Sequence, residues 1–169
     1  MIGQKITLNE VEQKICVALA ERRYKSNRAS GVPNKKIGNQ SNAFTDLEGI
    51  AAEMAMCKLF GIYPTQVLDP TPRSSLKGEE VGGDIPIKGH SVDVKATKYD
   101  DGRLLAAKWK DGVDCYALLT GIFPNYTFRG FMEAKELLQK YRLGNLGYGP
   151  TYVAHQDELK EFEELIFDA

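Results

Sequence analysis

Residues 84–97 read DIPIKGHSVDVKAT. Their alternation of apolar and polar side chains predicts two short strands, and the Lys-Gly pair between the strands favours a two-residue turn. Ile87 then faces His90, and the same register sets Asp84 directly opposite Asp93. Both carboxylates lie on the polar face of this hairpin, whereas its isoleucines and valines form the face that belongs to the core.

The polar face of the hairpin carries groups suited to metal-assisted hydrolysis. Carboxylates that face each other across strands repel, and a divalent cation removes that repulsion. Hard oxygen ligands suit Mg²⁺, for which Mn²⁺ is the expected substitute, so Asp84 and Asp93 are candidate ligands together with the backbone carbonyl of Val94. Lys95 shares this face and could orient or deprotonate a water, or stabilise charge on a phosphoryl oxygen. The layout suits attack of water on a phosphodiester.

A buried helix is predicted upstream of the hairpin. The run TDLE at residues 45–48 has the form of a capping box, Gly61 supplies a C-terminal stop, and the sequence between them is apolar nearly all round. Carboxylates midway along such a helix need a partner, such as a cation or a metal. A glutamate of this helix, Glu53 or Glu48, could therefore complete the metal site or hold a second ion.

The remaining pattern predicts one α/β domain over residues 1–169. A first helix follows the capping-box run TLNE at residues 7–10 and extends to about Tyr24. Strand-like runs after the hairpin, followed by helices, indicate a central mixed sheet flanked by helices. The further predicted elements are strands in RLLAAKW, CYALLTGIF and YTFRGFM, helices in MEAKELLQKYR and DELKEFEELIF, and a loop in GNLGYGP.

A basic segment lies between the two N-terminal helices. Residues 22–45 contain six basic side chains and no acidic one, and residues 25–43 lack an apolar period, which predicts a mobile loop. The segment is either a solvated loop or a surface that contacts the phosphates of a polyanion. The candidate DNA-binding residues are Arg22, Arg23, Lys25, Arg28, Lys35, Lys36 and, after the hairpin, Lys98.

Composition narrows the class of protein. The 169 residues are 43% apolar and 27% charged, with a net charge of −1, which is typical of a soluble domain. No run approaches the roughly 18 apolar residues of a membrane span, and no secretory signal is visible at the start. Cys16, Cys57 and Cys115 look like reduced core residues. We therefore expect a cytoplasmic protein that does not contact membranes.

The set Glu53…Asp84…Asp93-Val94-Lys95 resembles the PD-(D/E)XK nuclease superfamily, which has the restriction-endonuclease-like fold. The run SVDVKATKYDDGRLLAAKWKDGVDCYALLTGIF is similar to small nuclease-like proteins of phages and prophages, and the run GIAAEMAMCKLFGI resembles their preceding helix. The resemblance extends over roughly residues 44–131.

The resemblance implies a role for each residue of the set. Asp84 and Asp93 would bind Mg²⁺, Lys95 would be the catalytic lysine, and Glu53 would be the helix acid that touches a metal or its water. Glu53 is preferred to Glu48 because of its sequence surroundings and because Glu48 already has the capping role. The proline that the superfamily has before its first aspartate is replaced here by Gly83.

These inferences predict a phage-encoded, Mg²⁺-dependent deoxyribonuclease that acts in the host cytoplasm. Cleavage of both strands of a duplex would favour a homodimer. The alternative is a non-catalytic DNA-binding or adaptor protein that retains the nuclease fold. In a third interpretation the protein is a structural domain, and Asp93 and Lys95 form an ordinary ion pair.

Overall fold

The computed structural model describes residues 1–29, 31, 41–69, 83–107, 110–147 and 149–168. Helices and strands in these ranges are, in chain order, β1 (Lys5–Thr7), α1 (Glu10–Ala29), α2 (Asn42–Phe60), α3 (Thr65–Leu68), β2 (Ile85–Ile87), β3 (His90–Thr97), β4 (Leu104–Ala106), β5 (Cys115–Ile122), β6 (Asn125–Glu133), α4 (Ala134–Leu137), β7 (Leu143–Asn145) and β8 (Pro150–Ala154). Short 3₁₀ turns occupy Lys140–Arg142, Gln156–Glu158 and Phe162–Glu164.

A five-stranded mixed sheet in the order β1-β6-β5-β3-β2 forms the centre of the fold. β3 and β5 run parallel, and the other neighbouring strands run antiparallel. A smaller sheet contains β4, β8 and β7. α1 packs against α2, which in turn contacts β2 and β3. The predicted α/β domain with a central mixed sheet and flanking helices is therefore confirmed, while the restriction-endonuclease-like topology stays a prediction.

Each face of the five-stranded sheet carries its own core. On one face, α2 covers the apolar side chains of the hairpin, including Val92, and residues of α1 belong to the same core. On the other face, Tyr116 and Leu118 of β5 pack with residues of β4 and β8. Asp93 and Lys95 pair in register with Tyr116 and Leu118, so they lie on this second face. Asp93 and Lys95 are thus on the side of the sheet that faces away from α2.

The first helix differs from its prediction at both ends. Thr7 pairs within the sheet as the last residue of β1, so it cannot cap the helix. Asn9 and Glu12 form the capping box instead, because the backbone N–H of each donates to the side chain of the other, at 2.7 and 2.8 Å. At its C-terminal end α1 extends to Ala29. The predicted loop is therefore wrong for residues 25–29, which continue the helix.

The second helix begins earlier than predicted. Ser41 is the N-cap, and its hydroxyl accepts a hydrogen bond from the backbone N–H of Phe44 at 3.2 Å. The predicted capping box of Thr45 and Glu48 is wrong, since both residues lie inside the helix. Gly61 ends α2 with φ of 63°, as predicted. Residues 30 and 32–40 of the predicted basic loop lie outside the described residues.

The C-terminal part of the chain departs furthest from prediction. The helix predicted in MEAKELLQKYR is reduced to α4 and a 3₁₀ turn, and the predicted loop GNLGYGP contributes to β7 and β8. The predicted terminal helix is wrong, because two 3₁₀ turns stand in its place. Between these turns, Lys160 pairs with Phe131 of β6 through reciprocal backbone hydrogen bonds of 2.8 and 2.9 Å. This pairing with the sheet holds the segment extended where its apolar spacing alone would favour a helix.

Two findings bear on the predicted class of protein. Among the described residues, no helix combines the length and the apolar character needed to cross a membrane. Cys16, Cys57 and Cys115 are buried free thiols, as the sequence predicts.

Candidate functional site

The β2–β3 hairpin has the predicted register and the predicted two-residue turn. Lys88 and Gly89 at the turn both have positive φ, 47° and 85°. Positive φ at both central residues is the requirement of a type I′ turn, whose twist matches that of the flanking strands. The turn thereby fixes the register, which brings Asp84 at the start of the hairpin to Asp93 on β3.

Asp84 is held against β3 by two hydrogen bonds. Its backbone N–H donates to the carbonyl of Val92 at 2.7 Å, and its Oδ2 accepts from the backbone N–H of Val94 at 2.7 Å. Gly83 allows this close approach, because a Cβ at that position would lie 2.5 Å from both the carbonyl carbon and the carbonyl oxygen of Val92. A glycine at position 83 is therefore required by the packing of the backbone.

Asp93 lies at the centre of the polar cluster and is fully buried, with 0% of its surface exposed. The ammonium of Lys95 lies 2.6 Å from its Oδ1, and the ammonium of Lys110 lies 2.6 Å from its Oδ2. A buried carboxylate is tolerated when such partners compensate its lost hydration. The two lysines thus provide the positive charge that this position requires.

The two aspartates differ in their affinity for protons. Burial raises the pKa of Asp84, and the neighbouring charge of Asp93 raises it further. Burial also raises the pKa of Asp93, but the ammonium groups of Lys95 and Lys110 outweigh burial and hold that pKa below its ordinary value. Desolvation acts to lower the pKa of Lys95, and the two aspartates outweigh it and raise that pKa. Asp84 is therefore the carboxyl that takes up a proton more readily, and Lys95 is an ammonium at neutral pH.

Lys110 is the residue of this cluster that the sequence analysis missed. It lies 17 residues from Asp93 in the chain, in the connection between β4 and β5. Neither the periodicity of a helix nor that of a strand predicts that these two residues are close in space. Its contact with Asp93 joins two distant positions of the chain, which only tertiary structure determines.

Both candidate helix acids have partners elsewhere. The carboxylate of Glu53 is buried on α2, 3.6 Å from the guanidinium of Arg23 on α1. Glu48 accepts hydrogen bonds from the backbone N–H of Phe123 at 3.0 Å and from the hydroxyl of Tyr126 at 2.9 Å. Glu48 therefore ties α2 to the turn between β5 and β6. In the part of the chain that the structure describes, no three His, Cys, Asp or Glu side chains form a group that could hold a metal. The placement of a helix acid at the metal site stays a prediction.

The predicted DNA-binding residues have different environments. Arg22 and Lys25 are exposed on α1. Arg23 is only 19% exposed, because its guanidinium takes part in the ion pair between the helices. Lys98 is exposed just after β3, with its ammonium 5.2 Å from the ring centroid of Tyr99. Outside the described part of the chain lie Lys35, Lys36 and the side chain of Arg28.

The oxygen donors of Asp84 and Asp93 fit Mg²⁺. This ion commonly binds through one or two carboxylates and keeps several waters, so its chemistry does not require a third acid. A dication would also relieve the repulsion that raises the pKa of Asp84. The backbone carbonyl of Val94 stays a predicted ligand.

Comparison with known proteins identifies a family but no activity. Residues 1–140 match the model of a family described as "Family of unknown function (DUF5843)", and the chain belongs to this family. The matched range includes the hairpin and Lys110. No curated protein and no solved structure matches the chain.

Proposed function

We propose that this member of the DUF5843 family is a Mg²⁺-dependent nuclease that hydrolyses phosphodiester bonds in DNA. The observation that carries the proposal is the cluster of Asp84, Asp93 and Lys95 on one face of the hairpin. Its two carboxyl groups have pKa values displaced in opposite directions, which is characteristic of sites built for chemistry as well as of ion-pair networks. A hard-oxygen donor pair beside a cationic side chain suits hydrolysis of a phosphate ester.

In the proposed mechanism the aspartates hold the metal and the lysine acts through its charge. Asp84 and Asp93 would bind Mg²⁺, and Mn²⁺ would replace it. When bound, the ion supplies an activated water and positive charge beside the phosphoryl group. Lys95 donates hydrogen bonds, orienting the attacking water and stabilising the negative charge that develops on a phosphoryl oxygen. Because the aspartates keep Lys95 protonated, we assign it this role and not that of a general base.

The exposed basic residues support DNA as the proposed substrate. Arg22 and Lys25 on α1, together with Lys98 after β3, present cationic side chains to solvent. Contacts of such residues with phosphates are independent of sequence and weaken as salt increases. We therefore expect binding to DNA that falls steeply with ionic strength.

The proposed setting is the cytoplasm of a host cell, for a phage-encoded enzyme. The three free, buried thiols support a reducing compartment. We propose a homodimer, because two active sites related by two-fold symmetry can cleave both strands of a duplex.

The decisive experiment is cleavage of end-labelled DNA in plasmid, linear duplex, single-stranded and branched forms, with Mg²⁺ or Mn²⁺. We expect metal-dependent cleavage that EDTA abolishes. Lys95→Ala should reduce the rate by roughly a hundredfold or more, because it removes a charge that stabilises the transition state. The matched control is Lys135→Ala on α4, whose ammonium pairs with Asp168 at 2.9 Å and whose side chain is 50% exposed.

The outcomes separate the proposal from its alternative. Cleavage that is lost in Lys95→Ala and retained in Lys135→Ala supports the nuclease. Salt-sensitive DNA binding without cleavage of any form overturns it in favour of a non-catalytic DNA-binding or adaptor protein. Equal activity in both variants would exclude Lys95 from the mechanism.

A further inference from the structure

Both carboxylate oxygens of Asp93 lie at ion-pair distance from cations that belong to the protein. The ammonium of Lys95 lies 2.6 Å from Oδ1, and the ammonium of Lys110 lies 2.6 Å from Oδ2. A metal ion that uses Asp93 as a ligand needs at least one of these oxygens. Metal binding therefore has to compete with an ion pair that is already formed.

The charges of the cluster make that competition unavoidable. When Asp84 and Asp93 are ionised, the four side chains Asp84, Asp93, Lys95 and Lys110 sum to zero. A dication added to this arrangement would stand within a few ångströms of two ammonium groups, and Coulomb repulsion at a largely desolvated site is strong. The cluster can accept the dication readily only if one ammonium group moves away.

Lys110 is the cation whose position in the fold allows it to leave. Lys95 lies within β3 and pairs in register with Leu118 of β5, which fixes its backbone. Its ammonium also lies 5.9 Å from the ring centroid of Tyr116. Lys110 belongs to no helix or strand and lies in the connection between β4 and β5. Connections of this kind adjust their backbone at lower free energy than strands inside a sheet.

We infer that Lys110 is a resident counter-ion of the proposed metal site, and that a divalent cation displaces its ammonium from Asp93. The inference rests on the proposed function, because it requires that Asp84 and Asp93 bind a cation. Lys110 is a positioning residue in this account: it holds Asp93 in place in the metal-free protein and sets the affinity for the metal. Its 17% exposed side chain then moves into water, where the ammonium regains its hydration.

The first test measures the Kd of Mn²⁺ by calorimetry in wild type, Lys110→Met and Lys110→Gln. Removal of the competing charge should tighten Mn²⁺ binding by about tenfold in both variants. Lys135→Met is the matched control, since it removes an exposed lysine whose partner, Asp168, is outside the site. Its Kd should equal that of wild type.

The second test uses the wild-type protein, so it does not depend on whether a variant folds. Lysines are acetylated briefly with and without saturating Mn²⁺, and modification is quantified by peptide mass spectrometry. Lys110 should become severalfold more reactive when Mn²⁺ is present, because its ammonium leaves the buried pair. Lys135 should react equally under both conditions.

The results distinguish failure of the inference from failure of the proposed function. If wild type binds Mn²⁺ but Lys110 shows unchanged reactivity, or if folded Lys110 variants bind Mn²⁺ no more tightly, the displacement is refuted while the metal site stands. If wild type does not bind Mn²⁺, the metal site of the proposed function fails and the inference fails with it. An Asp84→Asn variant identifies the site, because its loss of Mn²⁺ binding locates the ion at the aspartate pair.

Discussion

At the scale of single residues, Asp84 carries a charge that its surroundings in the fold disfavour. Its carboxyl group is partly buried and lies near Asp93, while the charges of Lys95 and Lys110 and the hydrogen bond from Val94 only partly offset these effects on its pKa. The unfolded chain would hold the same group in water, at its ordinary pKa. In the absence of metal, ionised Asp84 therefore destabilises the folded state.

Asp84→Asn should stabilise the metal-free protein. Because the folded-state pKa of Asp84 is raised, the folded state retains its proton as pH rises above about 4, where the unfolded state releases it. The contribution of Asp84 to the stability of wild type falls through this window, so the advantage of the variant should be near zero below about pH 4 and grow until the pH exceeds the folded-state pKa. Urea unfolding in EDTA over a series of pH values measures this difference in the free energy of unfolding.

The matched control for this prediction is Asp101→Asn, which changes the same functional group at an exposed position. Its free energy of unfolding should stay within about 0.5 kcal/mol of wild type at every pH. Addition of Mn²⁺ should reverse the order of wild type and Asp84→Asn, because only wild type gains free energy from binding the ion. An Asp84→Asn variant that is less stable than wild type in EDTA at neutral pH would contradict our account.

At the scale of elements, the position of Asp84 depends on a close approach of two backbone segments: the chain just before β2 and strand β3. The positive φ values of the turn set the register, and Gly83 lets the preceding chain lie against the backbone of Val92. Without this approach, Asp84 could not accept its hydrogen bond from Val94. The position of Asp84 beside Asp93 therefore depends on Gly83, which has no side chain.

Gly83→Ala should damage both the fold and the site. The added Cβ would meet backbone atoms that cannot rotate away, so residues 83 and 84 must shift; we expect a loss of about 2 kcal/mol in the free energy of unfolding. Mn²⁺ affinity should fall as well, since Asp84 moves with the chain. Thermal unfolding with and without Mn²⁺ measures both effects.

Gly49→Ala provides a control of opposite sign. Gly49 lies within α2, and a Cβ there would meet nothing within 4 Å. Alanine is favoured over glycine inside a helix by roughly 0.5–1 kcal/mol, so this variant should be more stable than wild type, with unchanged Mn²⁺ affinity. Equal stability of the two alanine variants would show that the close approach at Gly83 is unimportant.

At the scale of the whole molecule, the C-terminal segment closes the core on the helix-bearing face. Phe162, in a 3₁₀ turn, is 7% exposed and lies among aromatic rings from other elements. Its ring centroid is 6.5 Å from that of Phe60 at the end of α2 and 5.3 Å from that of Phe131 on β6. One side chain thus joins the end of the chain to a helix and to the central sheet.

Phe162→Ala should destabilise the protein by about 3 kcal/mol, because it removes a large buried ring and leaves a cavity between elements. The measurement is urea unfolding, with Tyr63→Ala as the control for loss of an aromatic ring that is 76% exposed. The control should change stability by no more than about 0.5 kcal/mol. A similarly small effect of Phe162→Ala would mean that the C-terminal segment is not part of the cooperative core.

The sequence by itself determined the features that depend on neighbours along the chain. Alternation over residues 84–97 and the Lys-Gly turn established the hairpin and its register, because strand period and turn geometry act within a few residues. The central strands were predicted for the same reason. Cys16, Cys57 and Cys115 were correctly assigned to the core from their apolar surroundings.

Tertiary structure decided the features that depend on contacts between distant segments. Lys110 reaches Asp93 across 17 residues, and α2 carries Glu53 towards Arg23 on the face of the sheet opposite the aspartates. Pairing of Lys160 with Phe131 likewise replaced a predicted helix with an extended segment. In this last case a long-range backbone pair outweighed a local preference, because unpaired backbone groups cost more free energy than helix propensity supplies. The two ion pairs join segments that are distant in the chain, and no local pattern relates such segments.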